Sequence, residues 1–261
     1  MKKSTIIIIA TGLTLFLCFF VLRPLTGTIL IKDEISKEPA DPISSFMMRF
    51  SEPETAKPVS LNHIEHIVIN GTDKANHANV RVTNKGKNEI SKSNYYYKKD
   101  VNPVIKGNTM TITLSGLSTQ HYDIDLDSLS SKTITLNNIQ GTMSIISADS
   151  VFQGLNKVIV GKGSNLQLWG EVGAQEYLDP KFQLVGKEES VIRLVTFSFA
   201  HFDATLNNAR LDFLESYVAD TANIKLQGRS NIIHPLGLKT FGKLILTGNT
   251  DYYNERNVKK Q

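Results

Sequence analysis

"TITLNN" at residues 133–138 and "DATLNN" at residues 203–208 end in the same quartet, TLNN, displaced by 70 residues. The two are members of a longer series. From about His63 onward apolar and polar residues alternate over short stretches rich in Ile, Val, Leu and Thr, the period of two expected of strands with one buried face. Aligning them gives inward pairs Ile112 and Leu114, Ile134 and Leu136, Val158 and Val160, Phe182 and Leu184, Ala204 and Leu206, Ile224 and Leu226, Leu244 and Leu246. Steps between the second members are 22, 24, 24, 22, 20 and 20 residues, all even and in one narrow band.

Two residues beyond each second member stand Gly116, Asn138, Lys162, Gly186, Asn208, Gly228 and Gly248. Gly and Asn tolerate positive φ, so the chain is expected to turn out of the strand at the same point of every unit. Lys162 departs from the pattern but lies between Gly161 and Gly163. Most units carry a second alternating stretch, at Met143 and Ile145, Leu166 and Leu168, Ile192 and Leu194, Leu211 and Phe213. Turn chemistry that recurs at every second strand favours an all-β fold, a parallel β-solenoid-like repeat domain, over an antiparallel sandwich. On this reading Leu136, Leu184, Leu206 and Leu226 stack as one buried column. The strands around Ile64 and Val80 cap the amino-terminal end, and Tyr252 and Tyr253 cover the last unit.

The ends of the chain read differently. Residues 5–22, "TIIIIATGLTLFLCFFVL", carry no charge, follow Lys2 and Lys3, and are closed by Arg23 and Pro24. As a helix they span about 27 Å, enough for a bilayer core, and no small-x-small cleavage site follows as a signal peptide would require. The single cysteine, Cys18, follows Leu17, which is too bulky for a lipoprotein cleavage site, and one cysteine forms no intrachain disulfide. Residues 1–4 are then a cytoplasmic tail, residues 5–22 a transmembrane anchor acting as signal-anchor, and residues 23–60 a stalk. The stalk holds five of the eight prolines, which exclude a long helix or a central strand. Residues 61–254 form the repeat domain and 255–261 a polar tail.

Lysine and arginine on the two sides of the span nearly balance, so the short leading segment is what places the amino terminus inside and the domain outside. Beyond residue 23 the chain has 26 Lys plus Arg against 25 Asp plus Glu. Nothing in that balance points to nucleic acid as a partner.

The chain from about Asn62 to Asn254 resembles the auto-transporter adhesin head (GIN) domain family. The resemblance is carried by "HIEHIVINGTDKANHANVRVTN", "NTMTITLSG" and "GKLILTGNTDYYN". It implies a bacterial cell-envelope protein with a β-solenoid-like domain and supplies no catalytic residues. Family members often show Gly-Ser-Gly at successive turns, whereas here the turns read "LSG", "LNN", "LVG", "LNN", "LQG" and "LTG".

Few side chains stand in chemically suggestive groups. His63 and His66, three apart, point to opposite faces of a strand and make no metal pair. Asp123, Asp125 and Asp127 begin like a calcium loop but meet Ser128 and Ile134 where that loop needs Gly and Glu, and read as a solvated strand face. No catalytic triad, phosphate loop or cysteine motif is present, and no cofactor or metal is expected.

Two features suggest ligand binding. Tyr95, Tyr96 and Tyr97 beside Lys98 and Lys99 can stack on sugar rings or rest on lipid headgroups. Lys162, Lys187, Arg210 and Arg229 follow the turns of four consecutive units and would line one edge, suited to an anionic glycan or to lipid headgroups.

The function expected from sequence is a membrane-anchored, non-enzymatic cell-envelope protein, adhesin-like, facing the periplasmic side of a bacterial inner membrane. The alternatives are a polysaccharide-active lyase or hydrolase on a parallel β-helix, or a purely structural spacer. Alkaline carbonate extraction tests the anchor: the intact chain stays in the membrane pellet, whereas a soluble species lacking residues 5–22 would identify a cleaved signal peptide.

Overall fold

A computed structural model describes residues 30–31, 34–35, 58–72, 76–93, 102–114, 119–129, 131–146, 151–170, 177–178, 182–234 and 240–253. The expected anchor at residues 5–22 lies outside the described residues, as do Tyr95, Tyr96 and Tyr97. Among the described residues no helix is long and apolar enough to cross a membrane. The chain divides into two units, residues 1–54 with 95–97, and residues 55–94 with 98–261. In the first, Leu30–Ile31 pairs antiparallel with Glu34–Ile35.

The second unit is all-β. One nine-stranded sheet runs, in spatial order, Val104–Lys106, Thr109–Leu114, His66–Gly71, Lys132–Asn137, Leu155–Val160, Gln183–Lys187, Ser198–Asn207, Tyr217–Gln227 and Phe241–Gly248. The other runs Val59–Ser60, Glu89–Ser93, Gln120–Asp125, His77–Thr83, Gln140–Ile146, Asn165–Gly170, Val191–Val195, Arg210–Leu214 and Asn231–Ile233. Pairing is parallel throughout except for Val104–Lys106, Val59–Ser60 and Glu89–Ser93. The chain thus alternates between the sheets, and their inward faces form one apolar core. A minor parallel pair joins Val151–Phe152 to Tyr177–Leu178.

Register along the first sheet is set by two inward rows. One contains Met110, Ile67, Ile134, Val158, Leu184, Ala204, Ile224 and Leu246. The other contains Ile112, Ile69, Leu136, Val160, Gly186, Leu206, Leu226 and Gly248. The expected column of Leu136, Leu206 and Leu226 is present, but Leu184 belongs to the row beside it. Its place is taken by Gly186, an inward glycine and not a turn residue. A Cβ there would lie 2.9 Å from Ala209 Cβ and 3.1 Å from both Ile192 Cδ1 and Leu206 Cδ2. The neighbouring side chains fill the volume that Gly186 vacates.

The second sheet has the same feature. Gly141 lies level with Leu166, and Met143 with Leu168, so the pair read as Met143 and Ile145 is displaced by one alternation. A Cβ on Gly141 would stand 2.0 Å from the Ala78 carbonyl oxygen. A strand reading based on apolar residues skips an inward glycine and slips by two.

The first two units are exchanged in space. His66–Gly71 and His77–Thr83, expected to cap the amino-terminal end, lie inside the stack between the 109–125 unit and the 132–146 unit. Their inward side chains Ile67, Ile69, Ala78 and Val82 are fully buried. The cap is instead made by the antiparallel strands 104–106, 59–60 and 89–93, whose reversed direction ends the parallel repeat.

The turns explain why TLNN returns. Asn138 and Asn208 hold φ of 54° and 49°, and each backbone N–H crosses to the following unit, Asn138 N to Lys162 O and Asn208 N to Gln227 O, both at 3.0 Å. In the 162 turn it is Gly163, at φ 67°, that turns the chain; in the 186 turn Glu188 and Glu189 do so, at φ 38° and 63°. Buried serines complete the corners. Ser164 Oγ accepts from Ile139 N and donates to Leu136 O, both at 3.1 Å, and Ser230 Oγ accepts from Ala209 N at 3.3 Å and donates to Gln227 O at 2.6 Å. Each hydroxyl satisfies a buried backbone group in the preceding unit.

Toward the carboxyl end the core becomes aromatic. Phe197, Phe199, Phe202, Phe213 and Phe241 follow one another at centroid distances of 4.7–5.6 Å. Gly170 makes room for this run, since a Cβ there would meet Phe197 Cδ1 at 2.7 Å. Tyr253 packs against the same core, with its hydroxyl 3.4 Å from His234 Nε2.

The inward glycine gives a direct test of the register. Gly186→Val forces a branched side chain between Ala209, Ile192 and Leu206 and is expected to cost about 1–3 kcal/mol, read as a lower denaturation midpoint at unchanged m. A midpoint equal to the parent's would mean that Gly186 faces outward.

Candidate binding faces

Neighbouring strands in register display outward residues as rows running across each sheet, about 4.8 Å from one strand to the next. On the first sheet one outward row contains Thr133, Lys157, Gln183, Asp203, Asn223 and Ile245. The next contains Thr135, Ile159, Val185, Thr205, Lys225 and Thr247. From Lys157 and Gln183 to Ile245 and Thr247, residues of these rows line a shallow concavity of about 280 Å³ that also includes Val185 and Lys225. An open, shallow site of this kind suits a chain lying across it better than an enclosed small molecule.

The electrostatics of this face are one-sided. Lys157, Lys187, Lys225 and Lys243 project from it, and none of them has an ion pair among the described residues. Two acids stand against these four lysines: Asp203, whose Oδ1 accepts from Asn223 Nδ2 at 3.0 Å, and Asp220, 3.7 Å from His201 Nε2. The lysines therefore dominate the field there.

The four basic residues singled out from sequence do not form one row. Lys162 and Arg229 sit in exposed turns and Lys187 ends a strand of the first sheet, level with Asn207. Arg210 begins a strand of the second sheet, level with Val191. Lys162 faces Glu188 at 3.8 Å, and Arg210 grips Asp212 through two hydrogen bonds of 2.7 Å, which raise its pKa further. Of the four, Lys187 belongs both to this edge and to the lysine-bearing face.

The aspartates differ from the expected solvated row. Asp125 is buried and accepts from Thr83 Oγ1 at 3.2 Å, Lys85 N at 2.6 Å and Lys87 N at 3.4 Å, fixing the turn that leads to Glu89. The open backbone donors of that turn draw the carboxylate inward. His63, His66 and His77 are exposed, and no group of three potential ligands gathers around a metal position among the described residues.

Two buried polar groups gave no sequence signal. Lys132, only 4% exposed, donates from Nζ to the carbonyls of Leu61, at 2.9 Å, and Ile64. Burial lowers its pKa from the ordinary 10.5, while Glu65 and Asp127 act in the opposite sense. Burial also pushes the Tyr122 phenol up to about 12, and its hydroxyl donates to Gln120 at 2.7 Å. Lys132 shares the parity of the inward Ile134 and Leu136, but its charge hides that placement, and the two carbonyls that satisfy it are distant in sequence.

Lys132→Met is expected to cost about 1–3 kcal/mol, because the buried Ile64 carbonyl loses its donor. Below pH 10.5 the unfolded chain holds the Lys132 proton more tightly than the folded one, so this group makes stability rise with pH from its lowered pKa up to 10.5. Denaturant melts at several pH values should show a smaller rise in the variant, and an unchanged midpoint would remove the structural role.

No protein-family model matches the chain, and no curated protein matches it either. The resemblance to the adhesin head family therefore rests on the sequence patterns alone. Among solved structures the chain is similar to a crystal structure described as a "putative cell adhesion protein" from Clostridium sporogenes ATCC 15579. The similarity covers 75% of this chain and 100% of that chain, at 12% identity and a TM-score of 0.32.

Proposed function

We propose that this chain is a membrane-anchored, non-enzymatic cell-envelope protein whose stacked units, taken as a parallel β-solenoid, hold an anionic polymer on the outer face of the first sheet. The observation that carries this reading is the concavity on that face, flanked by Lys157 and Lys225, with Lys187 and Lys243 beside it. Side chains repeating at the strand spacing suit a repeating ligand, and four cations without ion pairs suit one bearing carboxylates or phosphates. Attachment through residues 5–22 and exposure on the periplasmic side of a bacterial inner membrane rest on the sequence alone, as does the likeness to adhesin heads.

Retention of the full chain on immobilised polygalacturonate tests the site, with phosphatidylglycerol vesicles as the lipid comparison. Retention is expected to fall as salt rises. The triple variant Lys157→Gln, Lys187→Gln, Lys225→Gln should weaken it roughly tenfold or more, at about 0.5–1 kcal/mol for each charge removed. Lys162→Gln with Arg229→Gln should change it much less. Equal retention of the triple variant and the parent at low salt would remove the first sheet as the binding face. Stronger retention on vesicles than on the glycan would assign the lysines to headgroups.

A further inference from the structure

The outer face of the second sheet presents a different chemistry. Six adjacent strands bring Asp123, Arg81, Ser144, Trp169, Val195 and Leu214 into one row. Beside it run His121, Asn79, Thr142, Gln167, Arg193 and Asp212. Trp169 is the only tryptophan of the chain and is 38% exposed, while Leu214 is 40% exposed and Val195, between them in register, is buried. A part-exposed aromatic ring and a part-exposed leucine therefore flank a covered valine, with a polar track alongside.

The polar track is ordered by its own contacts. Thr142 Oγ1 donates to Asn79 Oδ1 at 2.9 Å, and Arg193 donates to Asn165 Oδ1 at 2.6 Å. Asp212 lies between Arg193, at 3.8 Å, and Arg210, at 2.7 Å, and Arg81 is level with Asp123. Most charge on the face is compensated internally, in contrast to the lysine-bearing first sheet. Gln167 stands two residues before Trp169 on the same strand and face, and among the described residues neither its amide nor the Ser144 hydroxyl has a side-chain partner.

We propose that this face binds a neutral glycan, with one pyranose ring stacked on Trp169, its hydroxyls bonded to Gln167 and Ser144, and the chain continuing across the strands toward Leu214. A pyranose has an apolar face of C–H groups and a rim of hydroxyls, which is the combination that an open indole beside free amide and hydroxyl groups complements. A linear glycan running across the strands meets an equivalent position about every 4.8 Å. The near-neutral field does not favour the anionic polymer assigned to the first sheet, so this is a second and separate site.

The lone tryptophan makes the site directly observable. Titrating the full chain with chitotetraose and with cellotetraose should give a saturable change in Trp169 fluorescence for at least one of them. Calorimetry with the better ligand should show binding weakened about tenfold in Trp169→Ala, near the upper end for loss of an aromatic contact. Gln167→Ala should weaken it several-fold, and Trp169→Phe should retain most of it, which separates lost stacking from lost folding. Retention on polygalacturonate should be unchanged in all three, so the two sites fail independently. The proposal is overturned if neither tetrasaccharide perturbs the fluorescence up to millimolar concentration, or if Trp169→Ala and Gln167→Ala both bind as the parent does.

Discussion

In-register parallel pairing is the constraint on which the rest of this structure depends. Each inward side chain lies one strand spacing, about 4.8 Å, from its equivalents in the neighbouring strands. Volume must therefore be conserved along a row and not within a single strand. Gly186 is admissible because Leu206, Ile192 and Ala209 reach into its space, and Gly170 because Phe197 does. The same pairing places the turns over one another, so that a serine hydroxyl of one unit satisfies the backbone of the unit before it. Outward side chains inherit the arrangement, and any chemistry on them is delivered as a row.

Much of this was legible in the residues. Alternation with even steps gave the strands, and the Asn and Gly positions gave the turns at 138, 163, 208 and 228. What remained hidden has definite causes. Inward glycines carry no hydrophobic signature, so the strands containing Gly141, Gly186 and Gly248 are displaced by two residues from the aligned pairs, as is Thr109–Leu114, where Ile112 and not Leu114 is level with Leu136. The exchange of the first two units is a long-range choice that local pattern does not encode, since Ile67 and Ile69 suit an interior strand as well as an end strand. Asp125 looks solvent-facing by period and Lys132 by its charge, and both are held inward by backbone groups distant in sequence, Lys85 and Lys87 for the one, Leu61 and Ile64 for the other.

The candidate sites were less legible than the fold, because attention to buried alternation sets aside the other half of each strand. Lys157, Lys225, Gln167 and Trp169 all occupy that other half. A column reading of outward positions, made with the corrected register, would have gathered the lysines on one sheet and set the tryptophan beside an amide on the other. The basic edge drawn from turn positions counted residues after a reference point and so mixed Arg210, which starts a strand of the second sheet, with residues that close strands of the first. Internal pairing also matters: Asp212 and Glu188 already hold two of those four cations.

The exchanged order of the first two units bears on how the chain can assemble. Residues 66–83 emerge first, yet they are flanked on one side by the unit at 109–125 and on the other by the unit at 132–146. The earliest full unit in the sequence is therefore interior to the stack and not one of its ends. From this unit the chain reaches the antiparallel cap through residues up to 125 and the aromatic end through every unit after 132. The cap direction closes within one segment, whereas the other adds unit upon unit, each resting on the row laid down before it. The two ends are thus unequal: reversed strands close one, whereas at the aromatic end a further parallel strand could be laid on Phe241–Gly248 without altering the order of the strands before it.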